Sequence, residues 1–147
     1  MSNAAREPIT CHVLNTVTGK PAVGITVTLT AITQFKDSPE AENQTSMTPL
    51  YQSRTNDDGR VTAWSPWNAE IGNQAPNLSD ALKQMRKNYA DKVLVWSLKF
   101  DVDSYFGSDS FFPEVEVKFK TDTAHGVDHW HVPVLLSPFS YTTYRGS

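Results

Sequence analysis

Cysteine is nearly absent from this chain. Cys11 is the only one in 147 residues, so no intramolecular disulfide can form and a reducing compartment suits it. Basic clustering is absent too: 13 Lys+Arg face 16 Asp+Glu, the net charge is −3, and no Lys/Arg block occurs. That balance argues against nucleic acid or an anionic membrane as the main partner. No apolar run approaches the roughly 20 residues of a membrane-spanning helix, and Met1-Ser2-Asn3-Ala4-Ala5-Arg6 leads into no signal-peptide core. Arg145-Gly146-Ser147 is not the Ser-Lys-Leu type of peroxisomal address. There is no G-x-S-x-G elbow, no P-loop and no G-x-G-x-x-G, which removes those nucleophile and phosphate-cradle templates. The expectation is a soluble intracellular domain, cytoplasmic or peroxisomal, whose main partner is neither nucleic acid nor membrane.

What the chain does have is period-two alternation. Ile9, Cys11 and Val13 alternate with Thr10, His12 and Leu14; Ile25, Val27, Leu29 and Ala31 alternate with Thr26, Thr28 and Thr30. In Val115-Glu116-Val117-Lys118-Phe119-Lys120 apolar and charged residues again change faces. Trp130, Val132, Val134 and Leu136 share one face, while His129 and His131 share the other. Such alternation predicts strands with one buried and one wetter face. The run from Val93 to Val102 is more continuously apolar and fits a central strand.

Thr18-Gly19-Lys20-Pro21, Asn56-Asp57-Asp58-Gly59 and Ser137-Pro138 read as turns. Asp58-Gly59 has hairpin character and would set Arg60 at the start of the next strand. The spacing of Ala81, Leu82, Met85 and Tyr89 predicts a helix with Ser79 as candidate N-cap. Lys36 to Pro49 and Ser65 to Pro76 read as loops. A chain of this length suits one domain, residues 1–147, with a core able to stand without disulfide or metal staples. Seven or eight short strands and one helix make it a β-sandwich.

His12 and His131 each sit inside an alternating apolar run and point away from the presumed core. Either one alone reads as a surface or hydrogen-bonded histidine; together they fit a site that a sandwich can assemble. Arg60, on its own, reads as a solvated cation. His129-Trp130-His131 places two imidazoles on one side of a strand, and His12 or His125 could complete a His₃ zinc site. No Cys or acidic residue stands beside them as a further ligand. Cys11 faces the core and reads as a small buried hydrophobe. Asp101 with Asp103, and Glu114 with Glu116, read as solvated strand faces rather than catalytic carboxylate pairs.

Four segments resemble the 5-hydroxyisourate hydrolases, the transthyretin-related proteins of purine degradation: "ITCHVLNTVTGKPAVGITVTL", "TNDDGRV", "FFPEVEVKF" and "HWHVPVLLSPFSYTTYRGS". They occur in the family's order, and the closing Tyr-Arg-Gly-Ser is its hallmark. The resemblance implies an all-β, transthyretin-like sandwich of two four-stranded sheets with one or two short helices. It also implies a homotetramer with sites at the dimer–dimer interface. Residues 7–147 would form the core, with 36–49 and 66–91 as inserted loop and helix segments. Carried over position by position, the catalytic residues are His12, Arg60, His131 and Ser147. His12, Arg60, Tyr144, Arg145 and Gly146 would contact substrate.

The implied reaction is hydrolysis of 5-hydroxyisourate to 2-oxo-4-hydroxy-4-carboxy-5-ureidoimidazoline, by opening its six-membered ring at an amide-like C–N bond. Neither metal nor organic cofactor is implied. A histidine, His12 or His131, would take the proton of water. Arg60 would stabilise charge on oxygen, and the hydroxyl and α-carboxylate of Ser147 would orient an imidazole. Two other readings remain: a transthyretin-like carrier of a small ligand, and a zinc-dependent hydrolase using His12, His129 and His131.

Overall fold

A computed structural model describes residues 6–32, 50–67, 76–88, 93–122 and 128–147. Its centre is β1 (Ile9–Asn15), whose Ile9, Cys11 and Val13 are fully buried while His12 and Leu14 on the opposite face are only partly covered. Along one edge β1 runs parallel to β9 (Trp130–Leu136), with Thr10 beside His131 and Val13 beside Val134. Its other edge is divided between two short partners. β2 (Lys20–Pro21) pairs with Leu14 and Asn15, and β5 (Arg60–Val61) pairs with Cys11 and His12. β10 (Tyr141–Thr143) adds antiparallel to β9 through the Ser137-to-Ser140 turn.

The second sheet has the order β6–β4–β3–β7–β8, all antiparallel, from β3 (Thr26–Ala31), β4 (Tyr51–Arg54), β6 (Ser65–Pro66), β7 (Leu94–Asp101) and β8 (Glu114–Thr121). Each sheet thus holds five strands rather than the expected four, because β2, β5 and β6 are two-residue pieces. Ser65 and Pro66, expected in a loop, form edge strand β6 against Tyr51 and Gln52, a position that tolerates proline's missing donor. β7 is an interior strand, as its apolar run suggests. The inner faces of both sheets share one core, in which Trp96 is fully buried and donates its indole N–H to Thr121 Oγ1 at 3.0 Å.

The Asp58-Gly59 turn forms but closes no hairpin, since β4 belongs to one sheet and β5 to the other. Asn56 Oδ1 accepts the N–H groups of Asp58 (2.9 Å) and Arg60 (3.0 Å), and Val13 N–H donates to the Gly59 carbonyl at 2.8 Å. Gly59 has φ +72°, and a Cβ there would lie 2.5 Å from the Val13 carbonyl oxygen. Only glycine fits where this crossover is stitched to β1.

Helix α1 (Leu78–Asn88) buries Leu78, Ala81 and Leu82. Its cap is Asn77 rather than Ser79: Asn77 Oδ1 accepts the Asp80 N–H at 2.9 Å, three residues on, as an N-cap should. Tyr89 lies outside the described residues, as do the inserted segment 36–49 and parts of 66–91. A short helix α2 (Asp103–Phe106) and a 3₁₀ turn (Gly107–Asp109) follow β7. Among the described residues no helix is long and apolar enough to cross a membrane.

Asp101 accepts hydrogen bonds from Ser104 and Asp103 from Ser110, while Glu116 pairs with Lys99 and Lys118. These carboxylates serve local structure in the second sheet.

Candidate active site

The outer face of the first sheet is assembled by register. Facing away from the core, β1 presents Thr10 and then His12. Arg60 lies directly across from His12 in the antiparallel β1–β5 pair, and His131 lies beside Thr10 in the parallel β1–β9 pair. One sheet face therefore carries both histidines and the arginine. The sequence also suggests that the last strand runs to the chain's end, but β10 stops at Thr143. Gly146 then returns to β9, its N–H donating to the His131 carbonyl at 2.9 Å.

These elements enclose an open cavity of about 680 Å³, lined by His12, Arg60, His131, Tyr144, Gly146 and Ser147. Gly146 packs so tightly that a Cβ there would lie 2.7 Å from His131 Cδ2 and 2.9 Å from Pro133 Cγ. Arg145 is the exception among the residues singled out in the sequence. It lines a second hollow of about 310 Å³ together with Trp130, Val132 and β8, which Tyr144 and His131 border as well.

Electrostatics favours neutral imidazoles here. Burial holds the His131 pKa below the ordinary histidine value, and the guanidiniums of Arg60 and Arg6 add positive charge that acts the same way. His12 is lowered by burial and by Arg60, against a weaker opposing pull from the Asp58 backbone and carboxylate. A neutral imidazole offers a lone pair, so either histidine can accept a proton near neutral pH. Cys11, by contrast, is buried with its thiol pushed up to about 12, so it is no thiolate nucleophile.

Thr10, which the sequence reading passes over, is the closest polar neighbour of His131. Its Oγ1 lies 2.7 Å from His131 Nδ1 and 3.3 Å from His129 Nε2. The signal was present in strand parity, because Thr10 precedes His12 by two residues and so shares its face. Arg6 and Glu7 also line the cavity, and they precede the alternating pattern that would have marked them. His129 spends Nδ1 on the Glu7 carbonyl at 2.9 Å. Among the described residues no three of His, Cys, Asp and Glu are grouped to hold a metal ion. His125 lies outside those residues.

A sequence model of the HIUase/Transthyretin family matches residues 9–146. The chain belongs to this family. A 5-hydroxyisourate hydrolase of Mus musculus is 38% identical over 143 residues, covering 95% of each chain. A probable 5-hydroxyisourate hydrolase of Schizosaccharomyces pombe is 32% identical over 142 residues, covering 95% of this chain and 90% of that one. Among solved structures, the 5-hydroxyisourate hydrolase of Klebsiella pneumoniae superposes with a TM-score of 0.58 at 25% identity, over 95% of this chain and 97% of that one. The HIUase/Transthyretin match runs from the first residue of β1 to the Gly146 bridge. It contains His12, Arg60, His131 and Tyr144, and Ser147 follows it.

Proposed function

We propose that this chain hydrolyses 5-hydroxyisourate to 2-oxo-4-hydroxy-4-carboxy-5-ureidoimidazoline, in the cavity on the outer face of its first sheet. The observation that carries this reading is the convergence of His12, Arg60 and His131, on three separate strands, around one cavity. Relatives named for this reaction cover nearly the whole chain, which supports it independently.

The chemistry asks for little beyond these side chains. Water attacks the ring carbonyl carbon and gives its proton to a neutral histidine, a step typically worth about 10²–10⁴-fold in rate. The Arg60 guanidinium supplies a planar fork of donors for the oxygen that gains charge. When the C–N bond breaks, the same proton passes to the leaving nitrogen, so the sum of reactants is the substrate and one water. Tyr144 and Ser147 offer polar contacts to the heterocycle at the mouth, and Gly146 lets the backbone approach.

The cavity is open in the single chain, and Tyr144 at its rim is 58% exposed. We assign its closure to further copies of the chain, in a homotetramer whose sites lie where two dimers meet. Light scattering on the purified protein would test the assembly, and a monomeric species with full turnover would remove that part.

The decisive assay follows freshly generated 5-hydroxyisourate by its absorbance. The protein should accelerate its loss above the spontaneous rate, and His12→Ala, Arg60→Ala and His131→Ala should each lower turnover by at least about 10²-fold while remaining folded. A wild-type chain that leaves the spontaneous rate unchanged refutes the reading.

A further inference from the structure

Behind His131 the protons of one hydrogen-bonded row can be assigned by elimination. The backbone carbonyl of Glu7 can only accept, and it lies 2.9 Å from His129 Nδ1, so that nitrogen carries a hydrogen. In the neutral form of His129 that is its one N–H, which leaves His129 Nε2 as an acceptor. Its neighbour is Thr10 Oγ1 at 3.3 Å: with the single hydroxyl proton of Thr10 directed there both contacts of that hydroxyl are hydrogen bonds, whereas directing it at His131 would set two lone pairs face to face. Toward His131 Nδ1, 2.7 Å away, Thr10 can then only accept. His131 must therefore donate from Nδ1, and its Nε2 carries the free lone pair.

We infer that Thr10 and His129 are positioning residues that hold His131 in its Nδ1–H tautomer, which leaves its Nε2 lone pair to serve as a general base toward the cavity. The geometry agrees with that role. Nδ1 is turned toward Thr10 in the sheet, while the Cδ2 edge next to Nε2 lies against Gly146, which lines the cavity. Parallel pairing of Thr10 with His131 fixes the two backbones side by side, so the row is set by strand register rather than by a mobile loop. His129 stands nearly parallel to His131, with ring centroids 6.5 Å apart and planes 16° from parallel, and both rings reach the Thr10 hydroxyl. Burial and the Arg60 guanidinium both disfavour a protonated His131, in line with the neutral ring that the tautomer argument needs. The row also holds His131 in the less common form, since a free histidine side chain in water favours Nε2–H.

The role as base rests on the hydrolase reading; the tautomer does not, and it can be read without substrate. In ¹⁵N-labelled wild-type protein above the histidine titration, long-range ¹H–¹⁵N spectra should show His131 Nδ1 as the protonated nitrogen and Nε2 as the bare one. An Nε2–H signal at His131 overturns the inference.

Thr10→Val keeps the shape and removes the hydroxyl, leaving an Nδ1–H without an acceptor. It should shift His131 toward Nε2–H and lower kcat by about 10- to 100-fold, with KM within about 2-fold. Thr10→Ser should restore both tautomer and kcat, which a purely packing role for Thr10 would not predict. Unchanged tautomer and turnover in Thr10→Val also overturn the inference. Wild-type protein that shows the tautomer but no hydrolysis instead refutes the functional reading, and with it the base assignment.

Discussion

Replacing Gly146 with alanine should damage the site while sparing the fold. Gly146 is not among the glycines with positive φ, so the effect is steric rather than a matter of backbone conformation. The added Cβ would sit 2.7 Å from His131 Cδ2, with Pro133 Cγ and Cδ at 2.9 and 3.1 Å. Comfortable carbon contacts begin near 3.5 Å, so a gap of roughly 0.6–0.8 Å has to be opened. The His131 backbone cannot yield it, being laddered to Thr10 of β1, and the Pro133 ring is rigid.

Two routes remain. The imidazole can swing, which breaks its 2.7 Å bond to Thr10 and misplaces the base. Alternatively the tail can lift, which breaks the 2.9 Å bond from Gly146 N–H to the His131 carbonyl and carries Ser147 out of the cavity. The tail route costs less, because residues 141–145 are exposed and contribute nothing to the core. Either way a group lining the cavity moves by close to 1 Å, a displacement that can cost about 10²-fold. The expected result is a kcat/KM lower by about 10- to 100-fold in the hydroxyisourate decay assay, with unfolding free energy changed by less than about 1 kcal/mol. Wild-type turnover in Gly146→Ala would show that the tail does not bear on His131, and would refute the reasoning.

The remaining expectations are narrower. His12 and His131 both have folded pKa values below the ordinary value of about 6.5, so below that pH the unfolded chain binds more protons than the folded one. Their stabilising contribution is complete above about pH 6.5 and is lost as pH falls toward the lowered values; urea titrations in that window should show the slope, and a His12→Ala/His131→Ala double variant should lose it. For the same reason the acid limb of kcat/KM should lie below about pH 6.5; a limb above it would contradict the neutral-base assignment. Arg60→Lys keeps the charge but not the fork, and should lose about 10²-fold in kcat with an unchanged melting profile, whereas full activity would reduce Arg60 to a point charge. Trp96→Ala removes a fully buried indole and its bond to Thr121, and should cost about 3–5 kcal/mol by urea unfolding. A cost under about 1 kcal/mol would mean that the core repacks around the gap.

What the sequence makes legible here is face, and what it withholds is neighbour. Alternation around Cys11 and Val132 is enough to say that His12 and His131 turn away from the core, because side-chain parity is a local property of a strand. It cannot say that β1 and β9 run parallel with Thr10 beside His131, since that register is set by pairing across more than a hundred residues. The crossover at Gly59 shows the same limit: the turn chemistry is readable, but whether the flanking strands pair with each other depends on which sheet captures each one. Arg145 marks where parity itself runs out. Past Thr143 the chain leaves β10 and is held at Gly146, so the faces of the last residues follow from the bridge to His131 rather than from the strand before it. Local pattern therefore suffices to name His12, Arg60 and His131 as members of a polar face. The row Glu7–His129–Thr10–His131, which orients one of the two histidines, exists only once non-local register has brought its members together.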